Sequence, residues 1–316
     1  QLNEDPSESI ESIREALISL GILLSLETAD EEVSKLRNKT LALLNNVKYV
    51  IQFRLSSNLQ HGVKFIMSRI LENLHAAEAA SFYKVIGKQE EADELTDLGK
   101  LALSTAFASE AQVFSRQSEQ WAFRAQVERS GAFSRLEDEL AIYDDDNENI
   151  ESALKAHDAT ILRIKHAVAA FESAAEELDT VSGELIRKRN NVESQVQQLQ
   201  GVVMKFKGDL MRLEGAKNDF MGEYLSRKGE KSKASRYFDS AKDQLREAVG
   251  NYTVAAQVFQ QVGDLEAAQN VDSKARTADI LARSIWDNRQ RVSQDQEPNY
   301  KGDNELVALY LGGSAS

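Results

Sequence analysis

Residues 150–213 read IESALKAHDATILRIKHAVAAFESAAEELDTVSGELIRKRNNVESQVQQLQGVVMKFKGDLMRL. Take in turn Ile150, Leu154, His157, Ile161, Ile164, Val168, Phe171, Ala175, Leu178, Ser182, Leu185, Arg189, Val192, Val196, Leu199, Val203, Phe206, Leu210 and Leu213. The steps alternate four and three without a break. A mean period of about 3.5 is the seam of a coiled coil. No proline interrupts it. The spacing predicts one continuous helix over 150–213, about 95 Å long at 1.5 Å per residue. A lone helix would leave such a seam in water, so a partner helix has to lie against it. Val192, Val196, Leu199 and Val203 mark the stretch of seam assigned to interaction. His157, Ser182 and Arg189 also fall on it. Polar residues on a seam read as setting register and partner number rather than as catalysts.

Working outward, the chain of 316 residues is 42% hydrophobic, which is enough to build a core. Its two prolines, Pro6 and Pro298, sit near the ends, and nothing between them forbids helix. Ala, Leu, Glu, Gln, Lys and Arg dominate the middle, and all are good helix formers. The expected class is all-α: an elongated helical bundle with one long coiled-coil helix and flanking helical hairpins. A formal net charge of −13 repels nucleic acid and anionic membrane surfaces. The short basic clusters at Arg187–Arg189 and Lys228–Arg236 read as solvated helix faces. The absence of cysteine excludes disulfides, thiol catalysis and cysteine metal sites. The start at Gln1 and the lack of cysteine lean towards an extracellular or cell-surface protein, with the cytoplasm left open.

The N-terminal part, 1–143, reads as antiparallel helices. Asp5-Pro6-Ser7-Glu8 is a helix start, and Ile10, Ile13, Leu17, Leu20 and Leu24 then share one face. From Ala16 to Leu26 the chain is apolar nearly all round, which favours burial in protein. Thr28-Ala29-Asp30-Glu31 is a second capping box. After it Val33, Leu36, Thr40, Leu43, Val47 and Val50 step three and four, and this face is expected to pair with the long helix. Ser56-Ser57-Asn58, Gly87, Ser118 and Gly131 read as punctuation. Asp144–Asn149 reads as a polar loop capping the long helix, which occupies 144–224. The segment 225–290 reads as shorter hairpins, broken at Gly229 and at Gly250 or Gly263. In 291–316 a polar linker leads to an apolar tail. Leu306, Val307, Leu309, Tyr310 and Leu311 are expected to dock on helices of this or a neighbouring chain.

Two segments align at an offset of 34 residues. Met221-Gly222, Leu225, Gly229, Ala234, Phe238 and Ala241 match Ala255-Ala256, Phe259, Gly263, Ala268, Asp272 and Ala275. Ala79-Ala80, Tyr83, Gly87 and Ala92 echo them upstream. The pattern resembles the tetratricopeptide repeat, although Asp272 replaces an aromatic and the closing proline is absent. The resemblance implies paired short helices with a protein- or peptide-binding surface.

Chemistry-bearing motifs are sparse. Glu72-Asn73-Leu74-His75 has the Glu-x-x-His form of a di-iron ligand pair, but the four histidines supply no second copy. No cofactor, metal or catalytic residue is expected. The leading expectation is a non-enzymatic structural protein that self-assembles through coiled-coil and hairpin packing, as a filament or cell-surface subunit. Its partner is then itself, or another protein; nucleic acid is excluded and membrane contact is disfavoured. The alternatives are an adaptor whose hairpin groove binds another protein's peptide and, further off, a membrane-acting helical protein.

Overall fold

A computed structural model describes residues 31–57, 62–136, 148–294 and 296. These residues are helical almost throughout: α1 (Glu31–Ser57), α2 (Val63–Val85), α3 (Gln89–Leu136), α4 (Glu148–Asp179), α5 (Glu184–Arg189), α6 (Val192–Arg227), α7 (Lys231–Gln261) and α8 (Leu265–Ser293). The protein is all-α. Two compact units share the longer helices. One takes the chain up to Glu110 with Ser173–Val196; the other takes Ala111–Glu172 and the chain from Gln197 onward.

The predicted continuous helix over 150–213 is broken twice. Helix α4 ends at Asp179, Thr180–Gly183 is irregular, and Asn190-Asn191 separates α5 from α6. Within the first unit the corner is held from a distance. The Asp97 carboxylate, fully buried on α3, accepts the backbone N–H of Gly183 at 2.6 Å and of Ser182 at 3.1 Å. Lys100 donates to the Thr180 carbonyl at 2.6 Å. Arg187 donates to the carbonyls of Val181 and Asp179. Asn191 adopts φ 51°, the left-handed region that Asn tolerates better than most residues. The seam positions at the corner carry nothing worth burying: Ser182 and Arg189 are polar, and Leu185 is 84% exposed.

In the second unit the two halves of the seam close on each other. Residues 157, 158, 165, 171 and 172 of α4 meet 220, 217, 214, 206 and 207 of α6. The His157 and Phe220 rings lie 5.9 Å apart, and those of Phe171 and Phe206 5.1 Å. Ion pairs Lys217–Asp158, Lys165–Glu214 and Lys207–Glu172 flank them. The order of contacts makes α4 and α6 antiparallel, so the missing partner of each half-seam is the other half.

Another face of α6 carries a feature the three-four pattern hides. Gly201, Gly208, Gly215 and Gly222 recur every seven residues and face Phe259, Tyr252, Leu245 and Phe238 of α7 in reverse order. A methyl group on Gly208 would come within 2.6 Å of the Tyr252 ring, and one on Gly222 within 2.8 Å of Phe238. Large rings on α7 thus seat directly on the α6 backbone. Helix α8 closes this side: Val271, Ala278, Leu281 and Ile285 join Phe238, Leu245 and Tyr252 in one buried cluster.

Three turns repeat one geometry. Gly87, Gly229 and Gly263 have φ between 77° and 81°. After each, the next residue's N–H returns to a carbonyl five residues back: Lys88 to Tyr83, Glu230 to Leu225, Asp264 to Phe259. This is the Schellman ending, which glycine favours because it lacks Cβ. Ala92, Ala234 and Ala268 are buried shortly after. The 34-residue offset is therefore real as a turn-to-turn repeat. Yet each step holds one whole helix and its turn, not the two short helices of a tetratricopeptide repeat. Gly250 lies inside α7 and breaks nothing; Ser118 and Gly131 likewise lie inside α3.

Two glycine substitutions test the packing. Gly208→Ala forces a methyl group into the Tyr252 ring and should cost about 1–3 kcal/mol. Gly250→Ala meets nothing within 4 Å, lies in mid-helix, and should add about 0.5–1 kcal/mol. Urea unfolding midpoints moving in opposite directions are the expected result.

Candidate interaction surface

Of the residues assigned to interaction from sequence, Val192, Val196 and Val203 are buried and Leu199 is half-buried within the single chain. Their packing is satisfied without a second molecule. Leu306, Val307, Leu309, Tyr310 and Leu311 lie outside the described residues, as does the helix start at residues 5–8.

The polar groups of the second unit's core form closed networks. Glu223 on α6 is fully buried and accepts from Arg129 of α3 at 2.8 Å and from Arg227 at 2.9 Å. Arg129 also reaches Asp219 at 3.2 Å and lies over the Phe220 ring. Burial raises the Glu223 pKa, with the arginines pulling against it. Further along α6, Asp209 accepts from the Tyr252 hydroxyl at 2.7 Å and from Lys274 at 2.9 Å. Burial alone would raise the Asp209 pKa, but Lys274, Arg212 and Tyr252 together hold it below the usual carboxylate range. Tyr252, buried against that carboxylate, is pushed well above the ordinary phenol value. Every charge here has a partner within the core, which is the arrangement of a structural network.

His157 differs. Its Nε2 is buried without a hydrogen-bond partner. Burial, and then the nearby Arg129 and Lys217, push its pKa down to about 3. Glu72 and His75 are not drawn together as ligands. Glu72 is buried against Arg69 at 2.8 Å, while His75 faces Glu78 at 3.6 Å. Among the described residues no group of three or more His, Asp or Glu side chains is placed to hold a metal ion. Among the same residues no helix is long and apolar enough to cross a membrane. A shallow groove of about 410 Å³ lies along α6 and the α7–α8 turn, with Lys205 in it. Burial and the neighbouring Lys274 lower the Lys205 pKa.

The surface that stands out belongs to the first unit. Helix α1 turns Ala42, Asn45 and Tyr49 into the core, where Tyr49 is pushed up to about 12 by burial and Glu72. Its other face carries the three-four row. Val33, Leu36, Leu43, Val47 and Val50 remain between 42% and 65% exposed. The expected pairing of this row with the long helix is thus not made. Geometry explains why: α1 can present only one face to the core, and the Ala42–Tyr49 face takes that place. On α2 Met67, Leu71 and Leu74 are exposed as well. Single exposed apolar residues are ordinary, whereas this row repeats at coiled-coil spacing, which makes it the candidate surface of this unit. The row was readable in the sequence; which face of α1 the core would choose was not.

Comparison with protein-family models, curated proteins and solved structures finds no match to this chain.

Two variants test the buried groups. Arg129→Met leaves the buried Glu223 with Arg227 alone and should cost about 1–3 kcal/mol in chemical unfolding. For His157, the unfolded chain takes up a proton as pH falls below about 6.5, whereas the folded chain does so only near 3. Stability should therefore drop by roughly 1.4 kcal/mol per pH unit across that window on account of this side chain. His157→Leu should lose this dependence, so its stability relative to wild type rises steadily as pH falls from 6.5 towards 3.5.

Proposed function

We propose that this is a non-enzymatic structural protein that self-associates, with the exposed row of α1 as the assembly surface. The observation carrying the reading is the three-four spacing of Val33, Leu36, Thr40, Leu43, Val47 and Val50, apolar except at Thr40, on a face turned away from the core. Such a seam has no use within the described core and every requirement for another helix. The closed charge networks and the dense glycine–ring packing of the second unit support a structural role for that unit. An adaptor reading is favoured by the same row if its occupant is a different protein.

Sedimentation of the pure protein separates these. Self-association gives species heavier than one chain, and Leu36→Glu with Leu43→Glu should return them to the mass of a single chain with helix content unchanged. A wild-type protein that stays at one chain's mass at all accessible concentrations would remove the self-assembly reading and leave the adaptor.

A further inference from the structure

We infer that two copies of the chain pair α1 with α1, antiparallel, across the exposed row and so close a two-chain assembly. The inference rests on the self-assembly reading above and gives it a geometry. Along Val33, Leu36, Thr40, Leu43, Val47 and Val50 the steps are three, four, three, four, three. That order reads the same from either end. An antiparallel copy therefore sets Val33 opposite Val50, Leu36 opposite Val47 and Thr40 opposite Leu43, with no position left over. In heptad terms each a position faces a d position. Sliding one copy by a heptad leaves two of the six positions on each helix without a mate. The two-fold axis passes between Leu41 and Ala42, and an isologous contact of this kind is complete at two chains.

The surface is open and of a fitting size. The unit's own core takes Ala42, Asn45 and Tyr49 from another face of α1, while the five apolar members of the row are 42–65% exposed. Ten such side chains, five per copy, bring about 900 Å² of apolar surface to the contact before the flanking residues are added, close to the ~1,000 Å² a specific interface needs. Thr40 brings no unsatisfied hydroxyl, since it donates to its own Leu36 carbonyl at 2.9 Å. Charge does not oppose the register. Beside the seam, Lys39 comes next to Asn46, Glu32 next to Phe53 and Arg37 next to Leu44, while Lys35 and Lys48 occupy outer heptad positions. A parallel pair would set Thr40 against Thr40 and align the two helix dipoles, which the antiparallel pair opposes.

Because the chain contains no cysteine, single introduced thiols test the register directly. Leu36→Cys and Val47→Cys change exposed positions, so the fold tolerates both, and circular dichroism checks helix content. Treated with a short bismaleimide, an equimolar mixture of the two full-length variants should give a covalent two-chain product that neither variant gives alone. Alone, each thiol lies about 16 Å along the axis from its own copy. Val33→Cys with Val50→Cys is a second pair and should behave in the same way. Coupling of Leu36→Cys with itself means a parallel pair and overturns the inference. A mixture that sediments as two-chain species yet fails to couple in either pair also overturns it, and leaves self-association through some other arrangement standing. A wild-type protein that sediments at one chain's mass throughout removes the self-assembly reading and this inference together.

Discussion

Helix α6 has to satisfy neighbours on two sides, and the contact between its glycines and the rings of α7 is what permits this. On one side it offers Phe206 and Phe220, bulky residues that meet Phe171 and His157 of α4. A second bulky row against α7 would hold that helix at the ordinary interaxial distance of about 8–10 Å. Gly201, Gly208, Gly215 and Gly222 remove that row. Phe238, Leu245, Tyr252 and Phe259 can then lie against bare backbone, and the same side chains share one buried cluster with α8. Substantial apolar burial is thereby concentrated on a few large side chains, each worth roughly 1.5–3 kcal/mol when fully buried.

Close packing also explains why the buried charges are so thoroughly paired. Asp209, one residue from Gly208, is buried from solvent, and Tyr252 and Lys274 supply its hydrogen bonds. Glu223 lies one residue from Gly222, and Arg129 and Arg227 enclose it. An unpaired carboxylate at either place would neutralise or unfold the site. The networks join α3 to α6 and α6 to α7 and α8, so they fix helix register where apolar contacts alone tolerate sliding. They therefore bear on the specificity of the fold.

The contrast between the two exposed and buried seams gives the functional reading its shape. Both α4–α6 and α1 carry the same three-four signature. One finds its partner inside the chain; the other faces outward over five apolar residues. The buried seam is spent on folding, which leaves the α1 row as the part of the pattern still available to another molecule.

Much of the secondary structure follows from the sequence alone. Helix formers without internal proline make an all-α chain, and Gly229 and Gly263 end their helices because only glycine enters the left-handed turn cheaply. The seam of 150–213 announces that a partner helix exists. Its identity was beyond local reading, since a heptad specifies a face and says nothing of what lies on it. The corner at 180–191 depends on Asp97, far away in sequence, and no continuation of the three-four steps could reveal a carboxylate waiting there. The glycine heptad was legible in principle, at a strict spacing of seven, but it reads as weak helix until the rings opposite are known. Tertiary structure decided the rest: which face of α1 turns inward, which half-seams pair, and which charges share a core. Each of these is a competition between surfaces distant in the chain, and burial free energy settles it only when all of them are brought together.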